Sequence, residues 1–282
     1  MVKVLSDSTC DLSPELVKRY DISIIPLHVY LGEEEYLDGD LTLEQIYDWS
    51  NTHNLTPKTS APAMEDVIKI YKNYINDYDE MIVFTISASM SASCEVCRLA
   101  AEELGAADRI KVIDSQNLST GVGHLVIESA VMAKEGKNVK EIEETILKLR
   151  PMVRSSFTVD TLTFLHRGGR CSGLAAFLGS ALKIHPRIVV EDGAMHSDKK
   201  YRGSLDKAIL KYVKDLEEIL LRAKPDRVFI THSSCSKEVI EMVRDYLAGL
   251  NVFKEIFETR VGGVVAAHCG PGTLGVLFIE NQ

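Results

Sequence analysis

Short apolar runs alternate with longer stretches in which apolar residues return every three or four positions. Val2-Lys3-Val4-Leu5 is the first run and ends at Ser6-Asp7-Ser8-Thr9. Residues 22–30 form a second, interrupted by Pro26. Met81-Ile82-Val83-Phe84-Thr85-Ile86 is a third, ending at Ser87, and Ile110-Lys111-Val112-Ile113 is a fourth, ending at Asp114-Ser115. These runs predict strands. The amphipathic stretches at residues 13–20, 42–51, 64–75, 92–104 and 119–134 predict the helices between them. Regular alternation of this kind predicts an α/β unit with a mostly parallel sheet. Ligands of such sheets sit beyond the carboxyl ends of the strands, where the Ser- and Thr-rich segments of this chain fall.

A further helix at residues 139–149 closes at Arg150-Pro151, and a domain boundary is expected soon after it. The division is an N-terminal α/β domain at residues 1–153 and a C-terminal one at 154–282. The second half has a different rhythm. Ser156-Phe157-Thr158-Val159 reads as a strand, followed by the glycine-rich His166-Arg167-Gly168-Gly169-Arg170-Cys171-Ser172-Gly173. An apolar helix at 174–182, a strand at 186–191, a turn at Asp192-Gly193 and one long helix at 205–221 come next. Arg227-Val228-Phe229-Ile230-Thr231 and Val276-Leu277-Phe278-Ile279 read as closing strands, so the second sheet is expected to be mixed.

Composition narrows the function classes. The 282 residues carry 32 Lys+Arg against 41 Asp+Glu, a net charge of -9, which disfavours nucleic acid and anionic membrane surfaces as partners. No apolar stretch approaches the roughly 20 residues that span a bilayer. Met1 to Leu12 shows no charged-then-apolar leader. The six cysteines read as reduced thiols, so a cytoplasmic protein is expected.

Four segments are candidates for chemistry. Thr59 and Ser60, in Lys58-Thr59-Ser60-Ala61-Pro62-Ala63, offer a hydroxyl pair before a helix, where capping is by itself the better account. Ser87-Ala88-Ser89-Met90-Ser91-Ala92-Ser93 places four hydroxyls at a helix start, a setting that suits a carboxylate; a plain cap is the alternative. Arg167-Gly168-Gly169-Arg170 could bring backbone and guanidinium groups to an acidic ligand, or be a plain loop. His268 precedes a Gly270-Pro271-Gly272 turn and is a ligand donor, a base or a structural residue. Cys94 and Cys97 have metal-like spacing but lie within a helical pattern without a second ligand pair, and Asp7, Asp11, Asp38 and Asp40 read as solvated loop residues; no metal is expected. No dinucleotide or phosphate-loop fingerprint occurs.

Together these segments resemble the DegV family, which includes the fatty-acid-binding subunits of bacterial fatty acid kinase. The resemblance runs the length of the chain: Asp7-Ser8-Thr9-Cys10-Asp11-Leu12, Thr59-Ser60-Ala61-Pro62, Ser87 to Ser93, Ile113-Asp114-Ser115, Gly168-Gly169-Arg170, Lys200-Tyr201-Arg202 and His268-Cys269-Gly270-Pro271-Gly272. It implies two α/β domains with a long-chain, palmitate-like fatty acid in an apolar tunnel between them. It also implies a carboxylate held by Thr59, Ser91 and His268, with Ser60, Ser93, Gly168, Gly169 and Arg170 at or near the mouth. Phe164, Leu165, Phe177, Leu178 and Ile184, apolar residues near the expected boundary, are candidates for the tunnel wall, and core packing is their other reading. The family function would be that of a non-enzymatic carrier, without a cofactor of its own. It presents the carboxyl to an ATP-dependent kinase subunit for acyl phosphate formation in phospholipid metabolism. Arg170 and Arg202 are candidates for docking that partner. Two positions depart from the family pattern: Ala61 stands where Gln is frequent, and Ala92-Ser93 where Gly-Thr is frequent. The rival reading is a serine hydrolase or acyltransferase with Ser91 as nucleophile and His268 as base, although the chain lacks a Gly-x-Ser-x-Gly elbow.

Overall fold

The apolar runs of the first half lie side by side. In the computed structural model, which describes residues 1–172 and 184–281, the N-terminal strands are β1 (Val2–Asp7), β2 (Ile22–Ile25), β3 (His28–Leu31), β4 (Glu34–Leu37), β5 (Lys58–Ser60), β6 (Glu80–Thr85) and β7 (Ile110–Asp114). A parallel sheet forms in the order β2-β1-β6-β7. Its strands are covered on both faces, which is why they read as continuous apolar runs rather than alternating ones. Leu5 and Val83 pack with Val67, Tyr71 and Cys97 of the helices Met64–Tyr74 and Ser93–Glu103. Val4, Ile82 and Phe84 face the other way, onto Val122, Leu125 and Val126 of the helix Thr120–Lys134 and Ile142 and Ile146 of Val139–Leu149.

Pro26 divides the second apolar run more deeply than an interruption. Ile22–Ile25 stays in the parallel sheet, whereas His28–Leu31 turns away into a separate three-stranded antiparallel sheet, β4-β3-β5. Proline lacks the amide hydrogen that a continuous ladder needs.

The second half adds β8 (Val153–Thr158), β9 (Cys171–Ser172), β10 (Ile184–Glu191), β11 (Ala194–Arg202), β12 (Arg227–Ser233), β13 (Glu255–Arg260) and β14 (Thr273–Ile279). They form one mixed sheet, β13-β12-β14-β8-β10-β11-β9, with parallel pairing at both ends and antiparallel pairing between. The chain is thus a two-domain α/β protein with one parallel and one mixed sheet. The helices Leu205–Asp215 and Lys237–Gly249 cover one face of the mixed sheet. The long helix expected at 205–221 breaks near Leu216 and resumes as Glu217–Leu220.

Thr120–Lys134 serves both units. While Val122 and Val126 meet the parallel sheet, Ile127 packs on Phe229 and Leu277 of the mixed sheet. Its His124 Nε2 donates to Leu277 O across 3.0 Å, and the ring meets Phe229 edge-on. Burial pushes the His124 imidazole down to about 4, so it is neutral at pH 7. A helix between two sheets is apolar nearly all round, as this one is. Among the described residues, no helix is long and apolar enough to cross a membrane. All six cysteines are free, and burial raises the thiols of Cys94 and Cys97 on their helix, away from metal-ligand reactivity.

The expectation of solvated acids fails for three of four. Asp7 and Asp11 are buried and Asp38 is half-buried; Asp40 is exposed. Asp7, at the carboxyl end of β1, accepts from the Thr9 amide and hydroxyl and from the Ile86 amide. Burial outweighs those donors and lifts its carboxyl to about 6. A folded-state value above the ordinary one means the folded chain holds this proton more tightly than the unfolded chain does. Its contribution to stability is therefore present below the ordinary value of 3.8 and lost as pH rises through about 6. Asp7→Asn should accordingly flatten the fall in stability between pH 4 and pH 7, read as urea midpoints of the two proteins. An unchanged difference between the two pH values would count against the buried, cation-free setting of Asp7.

Candidate functional site

β5 is a three-residue strand with no apolar signature, and its register decides what its hydroxyls do. Thr59 stands opposite Val29 and Ser60 opposite His28 on β3. Successive side chains point to opposite faces. Thr59 accordingly meets His268, with Oγ1 2.8 Å from Nε2, whereas Ser60 is exposed with its Oγ 3.4 Å from the Tyr30 hydroxyl. The two hydroxyls thus take different partners, although both residues border the same cavity.

His268 sits on a short helix, Gly263–Cys269, that places Val264, Val265 and His268 along one cavity wall. Gly270 ends the helix at φ +76; a Cβ there would lie 2.6 Å from the Phe164 ring. Phe164 therefore packs on this turn and edge-on against Tyr47, and it is Leu165 that reaches the cavity. Ile184 is half-buried opposite Arg202 at the start of β10, away from the cavity lining, and Arg202 is exposed. Phe177, Leu178 and the helix expected at 174–182 lie outside the described residues.

The cavity has a volume of about 230 Å³. Its polar rim is Thr59, Ser60, Ser91, Arg170 and His268, and its wall includes Leu27, Ile86, Met90, Leu118, Phe157, Leu165, Met195, Val264 and Val265. Leu118, Phe157, Val265 and Cys269 also line a smaller void of about 30 Å³ that continues inward to Thr231, Gly275 and Leu277 of the mixed sheet. The two spaces share a wall, and the inner one lies against the mixed sheet. The wall residues come from both halves of the chain and from turns as well as strands, which left them invisible as a group in sequence.

The four serines after β6 divide into two pairs with different work. Ser87 donates to Gly193 O at 2.7 Å, and the Ser89 hydroxyl donates to the same carbonyl. These two clip the tip of the β10–β11 hairpin, and Met195 two residues on lines the cavity. Ser91 is half-buried on the cavity, with its Oγ 2.9 Å from that of Ser93; the Ser93 amide donates to Ser91 Oγ at 3.2 Å. Ser93 is fully buried behind Ser91, where it holds that hydroxyl in place.

His268 is neutral. Burial pushes it down to about 4, and the nearby Arg170 guanidinium adds to the effect. Its Nδ1 is buried without a hydrogen-bond partner, and Gly168 approaches so closely that a Cβ would lie 2.4 Å from that nitrogen. Of the two neutral tautomers, the one with its proton on Nε2 donates to Thr59 Oγ1 and leaves the threonine proton free to point into the cavity. Gly169 ends the helix Thr163–Gly168 at φ +67, and Arg170, exposed at the rim, donates to Gly168 O at 2.6 Å. The glycine-rich segment thus includes a helix end rather than a plain loop.

This arrangement can offer hydroxyl donors to an acidic group at the rim of an apolar space, with the neutral imidazole of His268 orienting the Thr59 hydroxyl. It does not resemble a nucleophile–base pair. The Ser91 hydroxyl bonds Ser93, His268 bonds Thr59, and an imidazole pushed down to about 4 is a weak base.

Comparison with known proteins follows the same line. A family model described as "Uncharacterised protein, DegV family" matches residues 1–281. A DegV domain-containing protein of Clostridium perfringens is 30% identical over 281 residues, covering 99% of each chain. Among solved structures, a fatty-acid-binding DegV family protein from Thermus thermophilus superposes with a TM-score of 0.91 at 28% identity, covering 99% of each chain. DegV from Bacillus subtilis, described as a fatty acid binding protein, gives 0.86 at 27% identity, again over 99% of each chain.

Proposed function

The chain belongs to the DegV family, and we propose that it is a carrier for a long-chain fatty acid. The acyl chain would lie in the two adjoining cavities and the carboxylate between Thr59, Ser91 and His268. The observation that carries this reading is an apolar space whose rim ends in two hydroxyls and a neutral imidazole. About 15 methylenes at roughly 0.8 kcal/mol each make the gross gain from burial on the order of 10 kcal/mol. The head group needs its donors because an unpaired buried charge is costly. Neutral donors meet that need and leave the acid more reactive than a salt bridge to a buried arginine would.

The carrier is proposed to act in the cytoplasm, to need no cofactor, and to present the carboxyl to an ATP-dependent kinase subunit that forms an acyl phosphate for phospholipid synthesis. Arg170 stands at the rim and is proposed to meet the partner or the transferred phosphate there; Arg202, exposed at the end of β11, is proposed as a second docking residue. The test is an assay of palmitate-loaded protein with a fatty acid kinase subunit and ATP, trapping acyl phosphate as the hydroxamate. Product is expected only with both proteins present, and Arg170→Ala should lower its rate. No product with a loaded carrier and an active kinase subunit would overturn the kinase role while leaving fatty acid binding intact.

A further inference from the structure

The helix that carries His268 begins against two carboxylates from the other half of the chain. Asp11 Oδ1 accepts from the Gly262 amide at 2.7 Å, and Asp38 Oδ1 accepts from the Val264 amide at 3.2 Å. Their second oxygens are occupied by Ser119 Oγ and Ser8 Oγ, at 2.5 and 2.6 Å. Among the described residues, no Lys, Arg or His bonds either carboxylate. Their charge faces free amides at a helix start, the end that favours an anion. The glycine pair permits the approach: a Cβ on Gly262 would lie 3.1 Å from both Asp38 oxygens, and one on Gly263 3.2 Å from Asp38 Oδ1.

Val264 and His268 are four residues apart, hence on one face of the helix and about 6 Å apart along its axis. Fixing the Val264 amide therefore fixes the rotation and height of the face that brings Nε2 within 2.8 Å of Thr59 Oγ1. Thr59 itself rides on the small sheet whose strand β4 ends at Leu37, immediately before Asp38. One side of the contact and the anchor of its other side thus share a single small sheet and the turn after it.

We propose that Asp11 and Asp38 are positioning residues for the head-group site: they hold the Gly263–Cys269 helix in the register that pairs His268 with Thr59. The fatty-acid consequence of this proposal rests on the function proposed above; the geometric part does not. Burial raises both carboxyls, and the amide and hydroxyl donors that hold them offset only part of that rise.

The test uses the full chain with 15N-labelled histidine. His268 in the wild type should show a single neutral tautomer with a midpoint near 4. Asp38→Ala removes the acceptor; the His268 signals should move toward tautomer averaging, its midpoint should rise toward the ordinary 6.5, and palmitate affinity should fall by about 10-fold or more. Asp38→Asn keeps an oxygen for the Val264 amide and should restore the tautomer signature that the alanine variant loses. Asp38→Ala with His268 signals and midpoint as in the wild type would overturn the proposal, whatever its melting temperature. If Asp38→Ala does not fold, Asp11→Ala is read in the same way, because it removes the acceptor of the neighbouring Gly262 amide. Displaced His268 signals in a protein whose wild type takes up no palmitate would leave the positioning role standing and refute the carrier reading.

Discussion

Replacing Thr59 and Ser91 together by alanine is expected to lower affinity for palmitate by two orders of magnitude or more. Each hydroxyl can offer one donor to a carboxylate at the rim of a largely apolar space. A hydrogen bond to a charged group contributes roughly 1.5–3 kcal/mol, and the pair together about 3–6 kcal/mol. Every 1.4 kcal/mol is about tenfold in affinity. Neither hydroxyl holds up the fold: Thr59 is half-buried on a short edge strand, and Ser91 bonds only its neighbour Ser93. Isothermal titration with palmitate measures the effect, and far-ultraviolet circular dichroism should be unchanged. Undiminished affinity in the double variant would place the carboxylate elsewhere. The single variants should show less than additive losses, because both donors serve one group.

The second large effect concerns the wall that the two cavities share, which the acyl chain is proposed to cross. Leu118 lines both, in the turn after β7 that also carries Ser119. Leu118→Trp is expected to close that crossing and confine the ligand to the outer cavity. Affinity for long-chain acids should then fall toward that for octanoate, while octanoate binding itself changes little. The difference is large because eight methylenes at roughly 0.8 kcal/mol each represent about 6 kcal/mol of gross burial. Overpacking should cost about 1–3 kcal/mol of stability, which a chain of this size can bear, and fluorescence of the new indole gives a direct view of the site. Equal losses for octanoate and palmitate would show that the inner void is not part of the path.

What the sequence revealed follows from which interactions leave a local trace. The parallel strands were legible because burial on both faces makes runs such as Met81 to Ile86 continuously apolar. The end of β2 was legible in part: Pro26 announced a break, but not that the chain leaves one sheet for another. β4 and β5 left no trace, because Glu34–Leu37 and Lys58–Ser60 are strands by pairing with β3 rather than by composition. The helix Lys237–Gly249 buries Val239, Ile240, Val243 and Leu247 at helical spacing, a pattern that is present in the sequence. β13 was hidden by the polar residues of Glu255–Arg260.

The candidate site divides in the same way. The motifs carrying Thr59, Ser91 and His268 were picked out as separate segments, and only the fold brings their side chains to one cavity. The different partners of Thr59 and Ser60, and the separation of Ser87 and Ser89 from Ser91 and Ser93, depend on register and on a hairpin about a hundred residues away. Asp11 and Asp38 looked like solvated acids because their partners at Gly262 and Val264 lie more than two hundred residues further along the chain. A carboxylate paired with a distant amide has no signature in its neighbours.

The central claim is that the adjoining cavities hold one fatty acid. Native mass spectrometry of the protein purified without detergent, before and after incubation with palmitate, tests it most directly. The expected result is a single added mass of a long-chain acid per chain, present on purification or acquired on incubation, and reduced in the Thr59→Ala, Ser91→Ala double variant. A protein that is well folded, free of fatty acid on purification and unable to acquire it would contradict the claim.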